Sequence, residues 1–193
     1  MLREERKKEL KKDIFLKSIE LFKEYGYENV SVEKIASACG IAKGTFFNYF
    51  PKKEHVLLHL GSSQIVLVKE IIQTHQCSNI KSKVHHIFRE LLATYSQHAD
   101  LLKLTISETI RSALKAESAN ILTLTDTLTD MFIDAKNTGL FQSAFDPKTI
   151  SSVLVGIYFN SLITWSLSES PDEDLEIIFN SQFEVVWEGI EKK

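Results

Sequence analysis

Cysteine is nearly absent from this 193-residue chain, which has only Cys39 and Cys77, far apart and in no CxxC or CxxH pattern. No disulfide framework or cysteine zinc site can be built from them, and two reduced thiols suit a cytoplasmic protein. Glycine and proline are also scarce, at seven and three residues. There is no G-x-S-x-G elbow, no P-loop and no dinucleotide glycine fingerprint; "GSSQ" at 61–64 lies inside a helical pattern. An enzyme is therefore not expected, nor is any bound cofactor. The basic start "MLREERKKELKKD" is followed by no apolar h-region, so a secretory signal is not expected either. Strand alternation, internal repeats and low-complexity segments are missing throughout.

What is present is a globular balance of 44% hydrophobic and 25% charged residues. The net charge of -3 hides an uneven distribution. Residues 1–53 hold 12 Lys and Arg against 8 Asp and Glu, whereas residues 54–193 hold 11 against 18. A basic head on an acidic body points to an anionic partner for the head. Helical periodicity runs nearly everywhere. Ile14, Phe15, Ile19 and Phe22 share a stripe of a first helix of three to four turns that ends at Gly26. Beyond Pro51, helices are expected at about 53–75, 80–97, 99–115, 117–136, 147–168 and 172–191. Asp146-Pro147 and Ser170-Pro171 each supply a cap followed by proline at the first helical position. The expected fold class is all-α, with about nine helices.

The stretch "IAKGTFFNYFPKKEHV" at 41–56 crowds Phe46, Phe47, Tyr49 and Phe50 into five positions between Lys43 and Lys52-Lys53. Ser31 can cap a short helix at 32–39 carrying Val32, Ile35 and Ala36, and a turn at Gly40 leads to a second at about 42–50, which Pro51 stops. These are the proportions of a helix-turn-helix, whose second helix enters the major groove. On that helix Phe46 and Phe50 lie four apart and turn inward toward Ile35, Ala36 and Ile41, leaving Lys43, Thr45, Asn48 and Tyr49 outside. An ordinary helical hairpin with a tolerated glycine is the plain alternative.

The order Gly26-Tyr27, Ile35-Ala36, Gly40-Ile41, Lys43-Gly44-Thr45, Tyr49-Phe50 and Lys53-Glu54 resembles the DNA-binding region of the TetR (tetracycline repressor) family of bacterial transcription regulators. The resemblance of motifs spans about residues 10–60. It implies a helix-turn-helix DNA-binding domain at 1–52 and an effector-binding and dimerisation domain at 53–193. It also implies a ligand-responsive regulator: a repressor that binds a palindromic operator in double-stranded DNA as a homodimer and is released by a small molecule. Lys43 and Gly44, at the positive end of the third helix, would then approach phosphate and base edges. Thr45 and Asn48 would face the groove, Asn48 as the better base reader. Tyr49 and Lys53 would contact phosphate, Ser31 could share its capping oxygen with one, and Phe47 would lie at the interface edge. Arg3, Arg6, Lys7, Lys8, Lys11 and Lys12 either extend this contact or form a frayed, solvated arm. Ala42, Phe47 and Lys34 depart from the family's usual serine, tyrosine and acid.

In the body, residues 150–168 contain no charge and carry apolar side chains on both sides of the helical wheel. Such a helix must be buried on both sides, which a subunit interface provides. Leu154, Ile157, Ile178, Phe179, Val186 and Trp187 are the expected interface residues. A membrane span is rejected because Ser151, Ser152, Asn160, Ser161, Thr164, Ser166 and Ser168 stud the run. Phe88, Leu91, Tyr95, Leu104, Met131, Phe132, Tyr158 and Trp165 are candidates to line a partly apolar effector pocket, with His98, Asn160 and Thr164 to orient the ligand. His55 and His59 have a zinc-compatible i, i+4 spacing, but no His-Glu-x-x-His signature or third ligand is found, and no metal is expected. The runner-up functions are a helical protein-binding adaptor without DNA binding and an enzyme with no recognisable motif.

Overall fold

A computed structural model describes residues 2–75, 79–94, 99–116, 119–168 and 174–190. Among the described residues there is no strand. The helices are α1 (Leu2–Tyr25), α2 (Val32–Ala38), α3 (Lys43–Phe47), α4 (Glu54–Thr74), α5 (Ile80–Ala93), α6 (Ala99–Leu114), α7 (Asn120–Asn137), α8 (Pro147–Leu167) and α9 (Leu175–Ile190), with a single 3-10 turn at Tyr27–Asn29. The chain divides into two compact units, Met1–Gly61 and Ser62–Lys193, with the boundary inside α4.

In the first unit, α1 is longer than three to four turns: it spans 24 residues and starts at Leu2. Its leading segment is Arg, Lys, Glu and Leu, all good helix formers, with Glu4 and Glu5 in the first turn to complement the dipole. The basic cluster from Arg3 to Lys12 is therefore carried on a helix rather than on a frayed arm. Gly26, at φ 80°, terminates α1 in a conformation that glycine adopts without strain. Ser31 caps α2, its Oγ accepting from the Lys34 N–H at 3.2 Å. The turn after α2 is a Schellman motif: Ile41 N–H donates to Ala36 O (2.9 Å) and Gly40 N–H to Ser37 O (3.1 Å), with Gly40 at φ 63°. Phe46 and Phe50 are 0% and 2% exposed, and they anchor α3 in a core with Ile14, Phe22, Ile35, Val56 and Leu57. Each such burial is worth about 1.5–3 kcal/mol.

In the second unit, α8 packs on α7, α9 and α6, and α5 packs on α9. Asp146 caps α8 through the Thr149 N–H at 2.8 Å, with Pro147 in the first turn. An aromatic chain forms the core: Tyr158, Phe88, Phe179, Phe183 and Trp187 lie with successive ring centroids 5.2–5.6 Å apart. Four of the residues expected at a subunit interface contribute to this core. Leu154, Ile178, Phe179 and Trp187 are already buried in the single chain, because α7, α8 and α9 enclose them. Ile157 and Val186 are half-buried. The outward apolar residues of the last two helices are instead Val153, Ile163 and Leu167 on α8 and Ile177 and Val185 on α9. Both α4 and α8 are long and apolar enough to cross a membrane by length and composition, but α8 places Ile150, Leu154, Tyr158 and Leu162 in the core of the bundle.

Candidate nucleic-acid interface and body cavities

The α3 helix is shorter than its expected span. It ends at Phe47, where Asn48 is the C-cap, and closes through the Tyr49 and Phe50 N–H groups, both 2.9 Å from Phe46 O. Phe50 precedes Pro51, which disfavours a further helical turn. Burying Phe46 and Phe50 turns the opposite side outward: Lys43, Gly44, Phe47 and Asn48 are exposed, with Thr45 and Tyr49 half-buried beside them. Gly44 has no positive φ, and a Cβ placed there would meet nothing within 4 Å. Nothing inside the chain requires glycine at this position, although it costs helix propensity. Open approach from outside is what the missing side chain provides.

The charges on this face are partly occupied. Lys43 Nζ is ion-paired with Glu33 Oε1, both side chains being more than half exposed. The Lys43 ammonium holds the Glu33 carboxyl below its usual pKa, helped by Glu33's own backbone N–H and, more weakly, by Ser31. Ser31 is exposed, but its oxygen already caps α2. Lys53, expected on phosphate, is half-buried and turned inward. Its ammonium donates to the carbonyls of Tyr27 (2.9 Å) and Val30 (3.1 Å) and sits 3.9 Å from the Tyr27 ring centroid. The acceptors lie in the short linker between α1 and α2, a contact between residues 23 and 26 apart that spacing alone does not show. Lys11 stands 5.5 Å from the Phe50 ring centroid, while Arg6, Lys7, Lys8 and Lys12 are exposed on α1.

His59 packs edge-on against Phe15 (5.0 Å) and Phe50 (5.6 Å), and burial, seconded by Lys11, pushes its pKa down. A histidine so placed is a neutral packing residue. Among the described residues no three His, Cys, Asp or Glu side chains form a group that could hold a metal.

Of the expected pocket residues in the body, Phe88 and Tyr158 meet in the core, 5.6 Å between ring centroids. Phe88, Leu91, Phe132 and Tyr158 are buried core, Leu104 and Trp165 are half-buried, and Asn160 and Thr164 are exposed, with Asn160 bonded to Gln182 at 3.1 Å. Tyr95 and His98 lie outside the described residues. Met131 lines a cavity of about 490 Å³, with Ile72, Ile80, Ala135 and Leu140 on its apolar side and Gln73, His75, Asn79, Lys83, Asp134 and Thr138 on its polar side. These lie near the ends of α4, α5 and α7, where medium-sized aliphatic side chains give no signal against the general apolar background. A second opening of about 440 Å³ is lined by His75, Lys81, His85, His86 and Arg89. Sequence reading also passed over Glu108, a buried carboxylate that accepts from Arg111 Nε (2.8 Å) and Ser112 Oγ (3.0 Å). The polar run Thr105, Glu108, Thr109 and Ser112 on one face of α6 was the available signal.

Residues 14–60 match the family model described as bacterial regulatory proteins, tetR family. The chain is similar to the fatty acid metabolism regulator protein of Bacillus subtilis, 25% identical over 187 residues, 91% of this chain and 93% of that protein. The HTH-type transcriptional regulator YuxN of the same organism is 45% identical over 53 residues, which is 28% of this chain but only 18% of that protein. Among solved structures, Thermus thermophilus FadR, a TetR-family transcriptional repressor in complex with lauroyl-CoA, superposes with a TM-score of 0.73 at 24% identity over 95% of this chain and 96% of that one. Bacillus subtilis FadR in complex with stearoyl-CoA gives a TM-score of 0.68 at 21% identity, over 92% and 98% of the two chains. At such identities the structural likeness speaks for the fold.

Proposed function

We propose that this chain, a transcriptional regulator of the tetR family by its residues 14–60, is a cytoplasmic homodimeric repressor that binds a palindromic operator and is released by a fatty acyl-CoA. The observation that carries the DNA-binding half is the split of α3: Phe46 and Phe50 fix the helix from below, and Lys43, Gly44, Phe47 and Asn48 face outward together. In this reading Lys43 leaves Glu33 for a phosphate, Gly44 lets the backbone come close, and Asn48 reads a base edge. Thr45 and Tyr49 support from the flank. The domain assignment is a DNA-binding unit followed by an effector-binding and dimerising body.

The effector half rests on relatives. A curated relative is named for fatty acid metabolism, and two structures of the same fold hold lauroyl-CoA and stearoyl-CoA. The body has a cavity whose Ile72, Ile80, Met131 and Leu140 side offers apolar surface for part of such a ligand. Dimerisation is assigned to the outward stripe of Val153, Ile163, Leu167, Ile177 and Val185, which the single chain leaves exposed. Burying that stripe against a second copy would place two α3 helices on one operator, whose half-sites lie about 34–36 Å or a multiple apart.

Fluorescence anisotropy of the full-length protein on DNA from upstream of its own gene tests the whole reading. Binding should be specific, weaken steeply with salt, and be reversed by lauroyl-CoA. Salt-insensitive or absent DNA binding would reject it in favour of a protein-binding adaptor.

A further inference from the structure

The body is acidic, with 11 Lys and Arg against 18 Asp and Glu over residues 54–193. Yet His75 from the end of α4 and Lys81, His85, His86 and Arg89 from α5 converge on one cleft beside α9. Its floor is Phe183, fully buried, against which the His85 ring packs at 5.6 Å. The His75 and His86 rings lie 4.2 Å apart between centroids, tilted by 31°. Arg89 Nη2 is 3.2 Å from His86 Nδ1. A guanidinium only donates, so in this contact Nδ1 is the acceptor.

Each fixed cation of the cleft has a carboxylate partner, and one of these, Glu184, also lines the cleft. Glu184 holds Lys81 at 2.6 Å, and Glu90 lies 3.5 Å from Arg89 and 3.7 Å from His86. Burial lowers the pKa of His86; His75, Arg89 and His85 lower it further, against the opposing pull of Glu90. Lys81 and Arg89 are held by side chains that are themselves exposed, so an anion can replace Glu184 and Glu90 as their partner and add the imidazole N–H groups as donors. A small carboxylate would engage Arg89 alone, whereas a phosphate or pyrophosphate has enough acceptor oxygens for Arg89, Lys81 and the imidazole N–H groups together. The cleft also adjoins the cavity that Ile72, Ile80, Met131 and Leu140 line on its apolar side, since His75 lines both.

We propose that the His75, Lys81, His86 and Arg89 cleft is a phosphate-binding site that takes the phosphorylated end of the effector, while the effector's apolar part enters the adjoining cavity. The assignment of the apolar part rests on the acyl-CoA reading above; the phosphate site stands on the cleft itself. An anion beside His86 favours its protonated form, so affinity rises as pH falls below the ordinary imidazole value of about 6.5.

The test is NMR of the histidine ring resonances of the full-length protein during titration with inorganic pyrophosphate. Saturable shifts of His75 and His86 are expected, tighter at lower pH, weakened about fivefold or more by Arg89→Gln or Lys81→Gln, and reversed competitively by lauroyl-CoA. Shifts that do not saturate, or that are unchanged in Arg89→Gln, would overturn the phosphate site. Lauroyl-CoA that binds without displacing pyrophosphate would overturn the link to the effector and leave the acyl-CoA reading standing. Lauroyl-CoA that does not bind would overturn that reading instead, and the pyrophosphate titration would still decide the cleft.

Discussion

At Lys53 an ammonium has two carbonyl acceptors and an aromatic face, so its removal takes a charged donor from Val30 O and from Tyr27 O, which retains the Val30 N–H at 3.3 Å. Lys53→Met keeps the stem and deletes the charge. It should cost about 1–3 kcal/mol in urea unfolding, with the salt slope of DNA binding unchanged; a slope reduced by about one would return Lys53 to the phosphate contacts. Glu33 has the opposite bearing. Its carboxylate competes with phosphate for Lys43, so Glu33→Gln should tighten operator binding up to about fivefold, the range of an exposed ion pair, as read by anisotropy. His59 makes a pH prediction. Its folded pKa is depressed by burial, so the unfolded chain binds more protons below the ordinary imidazole value of about 6.5. The first unit is therefore at full strength above that pH and loses stability as pH falls toward the folded pKa. His59→Phe should flatten the dependence of Tm on pH between about 8 and 5.5.

At the scale of elements, two glycines a turn apart separate fold from function. Gly40 holds φ 63° at the Schellman turn that sets α3 against α2; alanine there is strained and should destabilise by about 1 kcal/mol or more. Gly44 is helical with open space around it, so Gly44→Ala should stabilise the unit by about 0.5 kcal/mol and still weaken DNA binding. If Gly44→Ala left affinity intact, close backbone approach would not be the reason for glycine. These elements were legible because their signals are local: Ser31 as a cap, Gly40 as a C-terminal turn, Pro51 as a stop, Asp146-Pro147 as a start. The end of α3 was misjudged because the residue before a proline limits the chain from one side only, while the i, i+3 closure at Tyr49 is a matter of geometry.

For the whole molecule, assembly is the open expectation. Val153, Ile163, Leu167, Ile177 and Val185 form the apolar surface left by α8 and α9. Val153→Glu with Val185→Glu should give folded monomers by sedimentation and weaken operator binding by at least about tenfold, because a buried unpaired charge costs more than an interface contact returns. Trp187→Glu should instead unfold the body, since that ring lies among Phe132, Phe141 and Phe183 within one chain. If the effector releases DNA, the coupling is reciprocal: operator must weaken lauroyl-CoA binding by the same factor, typically about 5–150-fold. Equal calorimetric affinities with and without operator would reject it.

The amino-acid sequence by itself determined the helical class, the approximate spans of the helices other than α1 and α3, the helix-turn-helix with Phe46 and Phe50 inward, and the uncharged α8. Each of these depends on periodicity, capping or breaking residues within a few positions of one another, which short-range sterics and burial enforce. Only the tertiary structure decided the rest. Lys53 turns to the α1–α2 linker, Trp187 and Leu154 belong to the core, and the histidines of α4 and α5 gather with Arg89 in one cleft. Those outcomes depend on which faces of α8 and α9 are covered by neighbours in the same chain and on contacts between residues far apart in sequence. A hydrophobic stripe says that a face must be buried, but not whether its own chain or a second one buries it.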